Sequence, residues 1–82
     1  MSEQRVLSPL PGVFYHRPAP EMPAYVEIGS VVTADQTIGL VEVMKQFAEV
    51  KAGVAGIVKE FLIEDNGVVG PGDAVLIIET GS

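Results

Sequence analysis

Val41-Glu42-Val43-Met44-Lys45-Gln46-Phe47 sets one lysine between two apolar runs of β-forming residues, 37–43 and 47–52. Two such runs with a short polar break read as a β-hairpin, and Lys45 falls at its tip. Tight turns favour Gly, Asn and Asp, because these tolerate the backbone angles or hydrogen-bond the backbone locally. Met44-Lys45 offers none of them, so the turn is costly unless the two residues serve another purpose. The flanking strands would fix the base of Lys45 while its side chain stays mobile and hydrated. That suits an amine that is acylated and then carries a group. Spacing alone fits equally well with a plain solvated charge between two strands, since periodicity carries no information about acylation.

The chain outward from this hairpin reads as all-β. Nine Gly and six Pro interrupt short segments rich in Val and Ile too often for long helices, the pattern of a sandwich or barrel. Strands are expected at residues 5–8, 12–15, 25–27, 31–32, 37–43, 47–52, 56–63, 68–69 and 74–79. Ala74-Val75-Leu76-Ile77-Ile78 is continuously apolar, which fits a strand covered on both faces. Gly70-Pro71-Gly72-Asp73 has Pro and Gly where a type II turn wants them, and Asn66-Gly67 is a second turn signal. The chain also repeats. Gly29, Val31 and Asp35 recur as Gly67, Val69 and Asp73, each set is followed by an apolar strand ending near a glutamate (Glu42, Glu79), and Pro11-Gly12-Val13 matches Ala55-Gly56-Ile57. Two similar half-domains folded face to face, with Met44-Lys45 at the crossover, account for this.

The first half is lengthened by Arg17-Pro18-Ala19-Pro20-Glu21-Met22-Pro23-Ala24. Three prolines within residues 18–23 favour extended geometry and remove ladder donors, so the insert is a surface loop or a stiff projecting finger, not an interior strand.

Eighty-two residues make one domain, with a core spanning about residues 5–79. A chain this short buries only about 60% of its unfolded surface. It has no cysteine, so neither a disulfide framework nor a thiolate zinc site can reinforce that core. No apolar stretch approaches the roughly 20 residues that span a bilayer, and Met1-Ser2-Glu3-Gln4-Arg5 opens no secretory signal. A soluble cytoplasmic protein without a membrane partner is expected. Five basic residues against eleven acidic ones give a net charge of −6, which opposes binding to a phosphate backbone and so argues against nucleic acid. No catalytic residue and no metal site are expected. The single histidine, His16, reads as a loop residue, solvated or packed on Tyr15, and Glu64-Asp65 as turn chemistry. Lys51 and Lys59 alternate with apolar neighbours, as outward strand positions do.

Met44-Lys45 following an acidic residue resembles the biotin attachment motif, typically Glu-Ala-Met-Lys-Met. From Leu40 to Glu79 the chain resembles the biotinyl domain of biotin carboxyl carrier proteins. Ser8-Pro9-Leu10-Pro11-Gly12-Val13-Phe14-Tyr15 with Arg17-Pro18-Ala19-Pro20 resembles the carrier subunit of bacterial acetyl-CoA carboxylase, in which a Pro-rich thumb protrudes at this place. The resemblance, from about Val6 to Glu79, implies a flattened β-barrel of two four-stranded antiparallel sheets with quasi-twofold symmetry, with its termini together. It implies biotin on Lys45, with Glu42, Met44 and Gln46 read by a biotin protein ligase and residues 17–24 as the thumb. It further implies a non-catalytic carrier that takes carboxylate from a biotin carboxylase to a carboxyltransferase in fatty acid biosynthesis. Three departures stand out: Val43 for the usual Ala, Gln46 for the usual Met, and Arg17 where the bacterial thumb typically has Thr. The N-terminal region and long Ala/Pro-rich linker of full carrier subunits are absent, which suits a stand-alone short carrier or an excised domain.

Two other readings use the same fold. Lipoyl carriers typically have Asp before the modified lysine and Ala after it, which Met44 and Gln46 do not match. An unmodified interaction module would keep the barrel and lose the ligase signal, for which Gln46 is the argument.

Overall fold

The computed structural model describes residues 2–81 and is built of strands: β1 Ser2–Leu7, β2 Gly12–Tyr15, β3 Val31–Val32, β4 Thr37–Val43, β5 Gln46–Lys51, β6 Gly56–Phe61, β7 Gly67–Val69 and β8 Ala74–Thr80. They form two four-stranded antiparallel sheets, β1-β8-β6-β3 and β5-β4-β2-β7. Moving each label four places along the chain turns one sheet order into the other, so the two halves are related by a quasi-twofold. That operation carries the β4–β5 turn onto the adjoining chain ends, where Ser2 pairs with Thr80.

The repeat extends to individual atoms. Ile38 is the extra residue of a bulge in the β4–β5 ladder and Val75 of one in the β8–β1 ladder, and neither is exposed. These bulges explain why Ile38-Gly39 and Val75-Leu76 are each buried without alternation. Gly12 and Gly56 occupy equivalent places at the starts of β2 and β6. A Cβ on Gly12 would lie 2.2 Å from the Glu42 carbonyl oxygen, and one on Gly56 2.4 Å from that of Glu79. The turns before β4 and β8 are closed alike: Gln36 N–H donates to Thr33 O and Asp73 N–H to Gly70 O, both at 3.1 Å. Their side chains accept in return, Gln36 from Thr33 N–H and Asp73 from Gly70 N–H. Gly72 at φ 84° is the third residue of the expected type II turn. The match of Asp35 with Asp73 and of Val31 with Val69 is corrected here by one residue. Gln36 is the counterpart of Asp73, and Val32, not Val31, shares with Val69 a buried place facing the core. A slip of one residue exchanges the two faces of a strand.

Phe14, Ile38, Val41, Val58, Val75, Leu76 and Ile78 fill the space between the sheets. Phe14 lies over Gly39, where an added Cβ would meet its ring at 2.6 Å. Residues 25–27 are not a strand, although Val26 is buried. The N–H of Tyr25 reaches His16 O, but Glu27 spends both backbone groups on Ser30 in the turn that Gly29 closes at φ 95°, leaving nothing for a ladder. Among the described residues no helix is long and apolar enough to cross a membrane.

Candidate functional site

Val43 pairs with Gln46, so Met44-Lys45 is a two-residue hairpin loop. Both residues have positive φ, 50° and 68°, as a type I′ turn requires. The right-handed twist of β4 and β5 demands this turn, and two side chains poorly suited to it accept the cost of roughly 1–2 kcal/mol per residue. Met44 is 91% exposed, and Lys45 and Gln46 are exposed beside it. Among the described residues Nζ of Lys45 has no ion pair and no hydrogen bond. The other two lysines are engaged: Lys51 with Glu49 and Thr37, Lys59 with Glu3. Both point outward, as their alternation predicts.

Glu42 does not share this freedom. It is half-buried, and its carboxylate accepts the Tyr15 hydroxyl at 2.8 Å. That bond, together with the carboxylate's charge, holds the Tyr15 phenol above its ordinary range. The Tyr15 ring leans on Phe47, with centroids 6.2 Å apart and planes at 53°. Phe47 faces Glu42 across the ladder and remains 58% exposed. Sequence reasoning passed over this aromatic platform of Tyr15 and Phe47. The signal for Phe47 was present, because the parity that sends Lys51 outward also sends Glu49 and Phe47 outward.

The Pro-rich insert runs outside both sheets. Pro18, Pro20, Glu21, Met22 and Pro23 are exposed, while Arg17, Ala19 and Ala24 are half-buried. A turn closes it, with Met22 N–H donating to Ala19 O at 3.0 Å. Arg17 is occupied within the insert and at its base: Nη1 reaches Met22 O at 3.4 Å and Nε lies 3.7 Å from the Asp65 carboxylate. Asp65 also accepts the His16 N–H at 2.8 Å, so it anchors the root of the insert in addition to sitting in the Glu64–Gly67 turn. His16 packs on different partners from the one expected. It stacks on Phe61 at 4.2 Å, meets Phe14 edge-on at 5.3 Å, and places Nε2 2.8 Å from Ile63 O. Period-two geometry explains this, since residue 16 lies on the side of Phe14, not that of Tyr15.

Two grooves flank Phe47. One, of about 380 Å³, lies between the insert and the platform and includes Tyr15, Arg17, Pro18, Pro20 and Asp65. The other, of about 440 Å³, opens at the hairpin base. No cluster of three or more metal-ligating side chains occurs among the described residues. Among the described residues the arrangement offers one unpaired lysine amine on a rigid support, with space around it for a long acyl chain. That fits a covalently attached carboxylic acid cofactor such as biotin.

Comparison with known proteins gives a consistent picture. The family model described as "Biotin-requiring enzyme" matches residues 4–78. The biotin carboxyl carrier protein of acetyl-CoA carboxylase from Porphyra purpurea is 37% identical over 75 residues, which are 92% of this chain and 48% of that one. The protein of the same description from Chlamydia muridarum is 52% identical over 58 residues, 71% of this chain and 36% of that one. The chain thus spans about half the length, or less, of these curated relatives. The crystal structure of Kluyveromyces lactis urea carboxylase matches 96% of this chain with 6% of its own, at a TM-score of 0.78 and 25% identity.

Proposed function

Because the chain belongs to the family of biotin-requiring enzymes, we propose that Lys45 is its point of biotin attachment and that it serves as the carboxyl carrier of an acetyl-CoA carboxylase-type complex. The observation that carries this reading is the unpaired amine of Lys45 on a strained type I′ turn. Unfavourable φ values kept at an exposed tip point to residues retained for use, not for folding. When bound, biotin supplies the ureido nitrogen that takes up and releases carboxylate. The chain's own part is mechanical. Acylation of Nζ removes its charge and leaves a long rotatable stem, while β4 and β5 hold the pivot. A single tethered group then visits two sites at high effective concentration.

The partners in this reading are a biotin protein ligase, a biotin carboxylase and a carboxyltransferase, in the cytoplasm, supplying fatty acid biosynthesis. Met44 and Gln46 are the side chains free to meet a ligase. Glu42 would act less directly, by holding Tyr15 and Phe47 behind the turn. The domain contributes no catalytic group.

Intact mass after co-expression with a biotin ligase tests the attachment. One biotinoyl group is expected on the natural chain and none on Lys45→Arg, whose circular dichroism stays unchanged because an exposed tip side chain buries little. Modification persisting in Lys45→Arg, or a lipoyl group in place of biotin, overturns the reading.

A further inference from the structure

The groove at the hairpin base is lined by Leu10, Val43, Met44, Gln46, Phe47 and Ala48. Val43 and Gln46 are the pair that closes the turn, so the groove begins where Lys45 is displayed. Val43 and Ala48 lie on the face of their strands that carries the core residues Val41 and Val50, and both are half-buried. Leu10, from the β1–β2 connection, is 41% exposed and completes the lining. None of these side chains is charged, and Gln46 is the only polar one.

That composition discriminates between two states of the neighbouring lysine. A free ammonium would lose hydration in such a groove and find no carboxylate there, so it stays in water. An acylated lysine has no charge to desolvate and a long methylene chain whose burial is favourable. Its amide link has one N–H and one carbonyl, and the Gln46 side chain both donates and accepts. The groove under the Pro-rich insert is less suited to a neutral chain, because Arg17 and Asp65 bring charge to its wall.

We propose that the groove at the hairpin base is a resting site for the acylated arm. The methylene stem lies against Leu10, Val43 and Ala48, and the Gln46 amide hydrogen-bonds the new amide link. This rests on the attachment reading above and adds where the arm lies between visits to its partners. Docking is non-covalent and is reversed when a partner site takes the cofactor.

The test uses the biotinylated chain, labelled with ¹³C and ¹⁵N while the biotin stays unlabelled, with intact mass verifying that the arm is attached. Isotope-filtered nuclear Overhauser spectra should show contacts from the biotin side-chain methylenes to the methyl groups of Leu10, Val43 and Ala48. Those contacts should be lost in a Leu10→Glu variant that still carries the biotin mass, and reduced in Gln46→Met. Contacts to Tyr15, Pro18 or Pro20 instead, or none beyond residues 44–46, overturn the resting site and leave attachment standing. Absence of biotin on Lys45 by mass overturns both.

Discussion

Met44 and Lys45 occupy left-handed backbone angles that Asn or Gly would hold at lower cost. The turn geometry follows from the register Val43↔Gln46, which leaves two residues to reverse a twisted ladder. Replacing Met44 with Asn should therefore raise the free energy of unfolding by about 1 kcal/mol, read as a higher urea midpoint at unchanged slope. A lower midpoint would show that Met44 packs on something it does not touch here. The cost of the turn was legible in the sequence, because Met and Lys are poor turn residues whatever surrounds them. The fate of Glu42 was not. Its partner Tyr15 lies on another strand, and only the pairing of β2 with β4 brings the two together.

At the scale of elements, β2, β4 and β5 form the rigid back of the hairpin. Their outer face carries Tyr15, Glu42 and Phe47, tied by one hydrogen bond and one ring contact. The tie makes a pH prediction. Hydrogen bonding to Glu42, then burial and the nearby carboxylate charge, raises the Tyr15 phenol above 10.0 in the folded chain. A raised acid favours the protonated form when folded, so this contribution is complete below about pH 10 and is lost as pH climbs through the folded value. Absorbance titration at 295 nm should resolve a phenol titrating above 10. Tyr15→Phe should remove it and flatten the loss of stability at high pH. A single titration at the ordinary value would dissolve the tie. Strands with strong alternation or β-branched content were legible from the sequence. Residues 25–27 were not, because the neighbouring turn had already claimed the backbone groups of Glu27.

The whole molecule is a two-half barrel whose symmetry reaches its tightest contacts. Gly12 and Gly56 each press against the carbonyl of the glutamate one residue before the end of the adjoining central strand. Gly12→Ala and Gly56→Ala should each destabilise the fold by at least ~2 kcal/mol in chemical denaturation, since backbone cannot yield as a flexible side chain does. Gly53→Ala, with open space around it and φ 78°, should cost only the backbone term of about 1 kcal/mol. If Gly12→Ala proved mild while Gly56→Ala did not, the halves would not be equivalent. The repeat was visible in the sequence as recurring Gly, Val and Asp, but in a register one residue off for β3 and β7. Sequence matching weighs identity, whereas the fold weighs which residue faces the core.

By itself the sequence determined the strand-and-turn alternation, the doubled half-domain, the lysine at a hairpin tip and the surface position of the Pro-rich insert. Each depends on properties that act over a few residues: propensity, period and turn chemistry. Tertiary structure alone decided that Glu42 would hold Tyr15, that His16 would stack on Phe61, that Arg17 and Asp65 would anchor the insert, and that a groove would open beside Lys45. These pairs join residues far apart in the chain. Their meeting is set by how two twisted sheets stack and where their ladders bulge, which no local pattern encodes.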